Sequence, residues 1–314
     1  MEKTFELFDF SKLQNRLVFS IELKLKTPLH IGGNDDGVSP TDMPILRLPE
    51  PDGRPYIPGS SLKGMLRSAS ERLYHLIEDT IQDPMALTVG ENGQYTTSLC
   101  YLENGDCSVG KGPQDKTRNA EIIKNTLMNK SLSEKEKYKI IYRLVCPSCR
   151  TYGAGSMASK VRVHHVVLDD NTQVRDGIRI DRETGAVAPQ AKFDYEYVEA
   201  GQTITLRIEG ENMDQENEAI LALALLQLKN NMLRLGGLQA RGLGELQYVS
   251  GVVKRINYNH QNRKELLEML LLDHDGLQAT SQTDMENSQK EKGEFDSAIT
   301  LECYLREALG GYLT

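Results

Sequence analysis

Four groups of residues in this chain have the types and spacing to do chemistry. The first lies in residues 55–68, PYIPGSSLKGMLRS. Pro58 and Gly59 break an extended segment, and Ser60 or Ser61 can then cap a helix by accepting a bond from one of its unpaired N–H groups. Lys63 and Arg67, four residues apart, share a face near the positive end of the helix dipole. Amides, hydroxyls and two cations at one helix start suit a phosphate, and a capped helix with solvated basic residues is the competing reading. The second group is the glycine loop 235–245, LGGLQARGLGE, where Gly236, Gly237, Gly242 and Gly244 permit close backbone approach. Arg234, Gln239 and Arg241 can present donors there to a polyanion. The loop ends a helix and opens a strand, whereas a dinucleotide fingerprint ends a strand and opens a helix, so a Rossmann site is excluded. A glycine helix cap with its turn would account for the loop equally well.

The third group is Cys146 and Cys149, a C-x-x-C pair of the kind that forms half a zinc site. Cys100 and Cys107 would supply the other two thiolates, with His75 as a substitute for one of them. Buried thiols without a metal are the alternative, and the flanking sequence lacks the helix-opening context of a thioredoxin-like redox pair. The fourth is Asp42, in a Pro-rich loop before the phosphate-binding helix, where an acid can support a metal ion or activate a hydroxyl. Asp35 and Asp36 are weaker candidates for the same task, and a solvated surface acid is the plain reading of all three.

The elements that must position these groups follow from hydrophobic period. Residues 16–26 alternate as a half-buried strand, with Leu17, Phe19, Ile21, Leu23 and Leu25 on one side. Residues 27–58 read as loop, and a helix with a stripe of Leu62, Leu66, Ala69, Leu73, Leu76 and Ile77 runs to about residue 83. Residues 84–118 look irregular and 119–142 read as a charged helical insert. A β-branched strand at 160–168 is followed by a polar stretch, and 195–198 with 203–209 read as a hairpin around Gly201. A Leu-rich helix spans 218–235, and a strand returns at 242–253. Without the insertions the order is strand, helix, strand, strand, helix, strand, which fits an α+β, ferredoxin-like (RRM-like) palm.

At 314 residues the chain can hold one large domain or two ordinary ones. With 6% aromatic residues and no Trp, base-stacking platforms are few. The net charge of -8 is unevenly spread. Arg143, Arg150, Lys160 and Arg162 occur in a segment without acids, as do Lys229, Arg234 and Arg241, so an RNA-binding face is compatible with the acidic total. Five cysteines in a chain of this length do not make a disulfide framework. No apolar run approaches a membrane span and residues 1–10 lack a signal-peptide core, so a cytoplasmic protein without membrane partners is expected.

Taken together, the segments resemble the RAMP superfamily of CRISPR-associated RNA-binding proteins, and more narrowly the backbone subunit of type III CRISPR effector complexes. Residues 29–33 (LHIGG), then Asp42 and 57–64 (IPGSSLKG), are similar to the family's N-terminal signature. Residues 146–162 (CPSCRTYGAGSMASKVR) resemble its central knuckle and basic strand. Residues 176–185 (DGIRIDRETG), ending near 192–196 (KFDYE), resemble its thumb hairpin, and Gly236 to Gly244 completes the set. The likeness covers about residues 16–250.

The resemblance implies a RAMP core over 1–255, with a zinc-knuckle insertion at 84–150 and a thumb at 169–200, followed by a partly flexible extension at 256–314. It implies a guide-RNA-binding subunit whose partners are the CRISPR guide RNA, the target RNA and neighbouring type III subunits. Ser60, Ser61, Lys63, Arg67, Gly236, Gly237, Arg234 and Arg241 would hold the guide backbone, with Arg150, Lys160 and Arg162 from the basic strand and Arg179 and Arg182 from the thumb. By motif position Asp42 is the acid for metal-dependent cleavage of target RNA, with Mg2+ or another divalent cation, and Zn2+ would be structural. In place of the family's usual small-residue run, residues 38–41 (VSPT) precede Asp42. A binding subunit without chemistry of its own is the alternative within the same machinery. A guide-processing RAMP endonuclease built around a histidine such as His30, His164 or His165 is the other.

Overall fold

Leu17, Phe19, Ile21, Leu23 and Leu25 are all fully buried, so strand β1 (Asn15–Leu25) turns one side wholly to the core. The computed structural model describes residues 11–33, 41–49, 51–77, 88–89, 95–96, 99, 107, 118–258 and 296–312. After β1 come β2 (Tyr56–Ile57), α1 (Gly59–Leu73) and the short strands β3 (Thr88–Val89) and β4 (Tyr95–Thr96). Three helices follow: α2 (Arg118–Met128), α3 (Glu134–Leu144) and α4 (Pro147–Tyr152). Then come β5 (Val161–Val163), β6 (Val166–Val167), β7 (Thr172–Ile180), β8 (Val187–Val198) and β9 (Thr203–Glu211). The described chain ends with α5 (Gln215–Lys229), β10 (Leu246–Asn257), β11 (Asp296–Thr300) and α6 (Leu301–Gly310).

The fold is mixed α and β around an antiparallel sheet of strand order β11–β10–β1–β9–β5. Helix α5 is apolar all round and buried along most of its length, because it lies between the sheet and helices α1, α4 and α6. Its start is a capping box in which Asp214 and Asn217 satisfy each other's backbone N–H groups. Leu62, Leu66 and Ala69 of α1 join it in one core. Buried hydrogen bonds add direction to this packing. Ser70 Oγ donates to the Ile220 carbonyl at 2.7 Å and Gln227 Nε2 to the Ala69 carbonyl at 2.8 Å.

Several sequence expectations change. Helix α1 begins at Pro58 without a side-chain cap, so neither Ser60 nor Ser61 plays that part, and its last turn tightens to a 3-10 turn at Tyr74–Leu76. Leu76 leaves the expected stripe and is exposed. The helical insert is two helices, broken where Ser133 opens α3 with its own capping box. The strand at 160–168 divides at His164 and His165: β5 joins the main sheet, whereas β6 pairs with β2. No hairpin forms over 195–209. Ile204, Leu206 and Ile208 bury on the core sheet between β1 and β5, while β8 pairs with β7 as a separate ribbon. The intervening turn docks on the end of β1, with Gly201 N donating to the Leu25 carbonyl at 2.7 Å.

Most of residues 84–117, together with Asp35, Asp36, Cys100 and residues 259–295, lie outside the described residues. The final segment is integral to the core, since β11 extends the sheet and Leu301, Tyr304, Leu305 and Ala308 are buried. Among the described residues no helix is long and apolar enough to cross a membrane. Leu301→Ala is expected to destabilise the protein by about 2–5 kcal/mol, as truncation of a fully buried leucine does elsewhere. Denaturant unfolding measures this, and an unchanged midpoint would show that the segment is peripheral.

Candidate nucleic-acid interface and metal centre

One face of α1 lines an open cleft of about 600 Å³ through Ser61, Met65, Ser68 and Arg72. Ile31 and Gly32 form part of the floor, and Arg234, Gly236, Gly237 and Gln239 of the glycine loop form the opposite wall. Backbone proximity dictates the glycines. A Cβ on Gly236, which has φ +82, would meet the His30 carbonyl oxygen at 2.3 Å, and one on Gly244 would meet the Leu235 oxygen at 1.9 Å. His30 is buried beneath the loop; its Nδ1 donates to the Glu196 carbonyl at 2.7 Å and its own carbonyl accepts from Gly237 N at 2.8 Å. The cleft thus offers two exposed arginines, two serines and apolar surface from two methionines. Such a lining suits a strand of nucleic acid, whose phosphates take the cations and whose bases take the apolar surface.

Asp42 lies exposed at the base of the β7/β8 ribbon. Asp42 N donates to Asp194 Oδ1 at 2.6 Å, and Asp194 N donates back to Asp42 Oδ2 at 3.0 Å. In this reciprocal pair each carboxylate accepts from the other residue's backbone N–H. The loop is fixed from both sides: Leu46 N donates to the Ile31 carbonyl at 2.8 Å, and Met43 bridges to Tyr195. Arg47 is the larger anchor, bonding Glu196 at 2.6 Å and Asp170 at 2.8 Å, while Glu196 also accepts from Ile45 N at 3.1 Å. Next to Asp194 in β8, Phe193 lies under Arg241, whose guanidinium carbon is 4.8 Å from the ring centroid.

The sulfur atoms of Cys107, Cys146 and Cys149 lie within 4.8 Å of one another and all three residues are buried. Such a donor set fits a thiophilic metal ion such as zinc. Cys146 opens α4 and its N–H donates to the Cys107 sulfur at 3.2 Å. His75 is exposed on the 3-10 turn after α1 and is not part of the group. None of the described cysteines is in a disulfide.

The structure redistributes the expected RNA-binding residues. Arg150 and Lys160 are corrected, because both are buried and held inside the protein. Arg150 bonds the Val145 carbonyl at 2.8 Å and Glu216 at 3.1 Å, and its guanidinium covers the Tyr142 ring at 4.4 Å. Lys160 bonds Asn217 at 2.6 Å and Asp214 at 3.3 Å, and burial pulls its pKa below the usual lysine value. Lys63 and Arg67 do not line the cleft; they point toward the cysteine segment. Lys63 Nζ donates to Ser159 Oγ at 2.7 Å, and burial followed by the charge of Arg67 lowers its pKa. Burial opposes the charge on Arg67, but Cys149 and Glu71 outweigh it and raise its pKa above the usual value.

Arg162 is exposed and paired with Glu211 at 2.8 Å on the sheet edge. Arg182 is exposed in the turn of the ribbon, Ser60 is exposed beside the cleft residue Ser61, and the Arg179 side chain lies outside the description. Sequence reasoning missed Arg72, Met65, Met232, Asp194 and Arg47. The helical phase of Arg72 relative to Ser61 and Ser68 was the available signal.

The RAMP superfamily model matches residues 22–247, so the chain belongs to the RAMP superfamily. Among curated proteins, it is 39% identical over 62 residues to the CRISPR system Cms endoribonuclease Csm3 of Streptococcus thermophilus, which is 19% of this chain and 28% of that protein. It is 30% identical over 131 residues to the protein of the same name from Methanocaldococcus jannaschii, covering 40% of this chain and 46% of that one. The matched segment spans less than half the length of either relative.

The distinction between interior and cleft cations has a measurable consequence. Arg150→Ala leaves Glu216 buried without its cation and is expected to cost about 3–5 kcal/mol of stability. Arg72→Ala removes an exposed side chain and is expected to leave the unfolding midpoint unchanged. Equal effects in denaturant unfolding would contradict the sorting.

Proposed function

We propose that this chain is a guide-RNA-binding backbone subunit of a type III CRISPR ribonucleoprotein that cleaves complementary target RNA in antiviral defence. The observation that carries the reading is the placing of Asp42 at the base of the β7/β8 ribbon, tied to β8 through Asp194. Membership of the RAMP superfamily and the likeness to two proteins named as Csm3 endoribonucleases support it. In this reading β1, α1, β5, β9, α5 and β10 form a ferredoxin-like palm, with the guide along the cleft between α1 and the glycine loop. The ribbon serves as a thumb that reaches a neighbouring subunit and splays one guide–target base pair.

A splayed nucleotide can align its ribose 2′-hydroxyl with the adjacent phosphorus. Attack by that oxygen expels the 5′-oxygen, leaving a 2′,3′-cyclic phosphate and a 5′-hydroxyl, and DNA is spared because it lacks the nucleophile. Asp42 would orient the hydroxyl or, with Asp194, hold a divalent cation such as Mg2+. The cation would supply neutralisation of charge developing on the phosphate. The histidine-centred guide-processing alternative has less behind it: His30 is buried with Nδ1 committed to the Glu196 carbonyl, His164 is held by Glu209, and exposed His165 stands edge-on to the Tyr56 ring.

Cys107, Cys146 and Cys149 would hold a structural zinc ion that ties the insertion to the palm, with Cys100 as a fourth ligand. Elemental analysis of the purified, dialysed chain is expected to find one zinc per chain, and finding none would remove this assignment. Asp42→Ala in an assembled, guide-loaded complex is expected to reduce target cleavage by about 10²-fold or more while guide and target binding persist. Unchanged cleavage products would leave a binding and assembly subunit.

A further inference from the structure

Helix α1 presents two different polar faces. Ser61, Met65, Ser68 and Arg72 line the cleft, whereas Lys63, Arg67 and Glu71 meet the segment that carries the cysteines. All three kinds of nitrogen in Arg67 are committed there. Nε donates to Glu71 Oε1 at 2.8 Å, Nη1 to the Gly153 carbonyl at 3.1 Å and Nη2 to the Cys149 sulfur at 3.1 Å. Glu71 also accepts from Ser148 Oγ at 2.7 Å, which closes a ring of contacts between α1 and α4.

We infer that Arg67 is a positioning residue of the metal centre and takes no part in holding the guide backbone. The inference rests on the reading that Cys107, Cys146 and Cys149 bind a metal ion. A divalent cation with three or four thiolates carries net negative charge, and a buried unbalanced charge is costly. The guanidinium offsets that charge from hydrogen-bond distance. It also restricts the rotation of the Cys149 side chain, while the Cys146 N–H does the same for the Cys107 sulfur at 3.2 Å. Donors of this kind outside the ligand shell set metal affinity, and their loss typically weakens it by about 10–100-fold.

The test compares the zinc-loaded full chain with Arg67→Gln and Arg67→Lys, following zinc transfer to a chromophoric chelator. The cobalt(II)-substituted forms are examined by absorption spectroscopy. Arg67→Gln is expected to weaken metal binding by about 10–100-fold and to move the sulfur-to-cobalt charge-transfer band to lower energy, since the sulfur loses a donor. Arg67→Lys restores the charge and is expected to recover part of the affinity. Metal-saturated Arg67→Gln is expected to bind RNA as the wild type does. Wild-type zinc affinity and an unshifted cobalt band in Arg67→Gln would overturn the inference, as would loss of RNA affinity with the metal retained. A wild-type chain that binds no metal would overturn the cysteine reading and this inference with it, a result distinct from metal binding that is indifferent to residue 67.

Discussion

The axial register of α1 against α5 is the constraint on which the rest of the structure depends. Apolar packing of Leu62, Leu66 and Ala69 supplies much of the burial, but such contacts have no direction and would tolerate a slide along the helix axis. The bonds from Ser70 to the Ile220 carbonyl and from Gln227 to the Ala69 carbonyl do not. Both are buried, so a slipped register would forfeit these interhelical bonds and leave Ser70 and Gln227 only the Leu66 and Leu223 carbonyls of their own helices. Tyr152 of α4 joins the same point through its hydroxyl, 2.8 Å from Ser70 Oγ. With α1 held against both α5 and α4, the cleft on one of its sides and the cysteine group on the other acquire fixed positions together.

The cations divide according to what packs on them. Arg150, Lys160 and Tyr142 form an internal polar cluster with Asp214, Glu216 and Asn217 at the start of α5, linking α3 and α4 to that helix. Their charges balance locally and contribute nothing to an external field. Arg72, Arg234 and Arg241 stay exposed around the cleft and its loop, where an acidic protein can still present a positive potential to phosphate. The net charge of -8 therefore says little about this surface.

The elements of the antiparallel sheet and its helix α1 were legible because β1, α1 and β9 each carry a clean apolar period. The segment around the glycine loop was legible for a different reason: four glycines in nine residues imply close backbone approach, and Gly236 and Gly244 show it. Helical phase was harder. Lys63, Arg67 and Arg72 all lie off the apolar stripe of α1, and nothing local says which flank faces solvent. The decision belongs to α4 and Ser159, more than 80 residues away in the chain, which cover the flank bearing Lys63 and Arg67. The false hairpin at 195–209 has a similar origin, since two adjacent extended segments around a Gly-containing turn look alike whether they pair with each other or with distant strands.

The ribbon and Asp42 cannot be positioned independently. β8 contributes Asp194, which exchanges N–H to carboxylate bonds with Asp42, then Tyr195, which bridges to Met43, and then Glu196, which takes both Ile45 N and Arg47. Alternation along the strand places Asp194 and Glu196 on the same side, so one edge of the ribbon base holds the whole 42–47 loop. Arg47 extends the hold to Asp170 and to Thr172 at the start of β7. Rotation of the ribbon about its base would carry Asp42 with it or break this set of bonds. The acid's orientation is therefore set by the ribbon and by the Ile31–Gly33 turn, where Gly33 N meets the Pro44 carbonyl at 2.9 Å. That geometry gives a physical reason for an acid in a Pro-rich loop, ordinarily a solvated surface group, to keep one direction relative to the cleft.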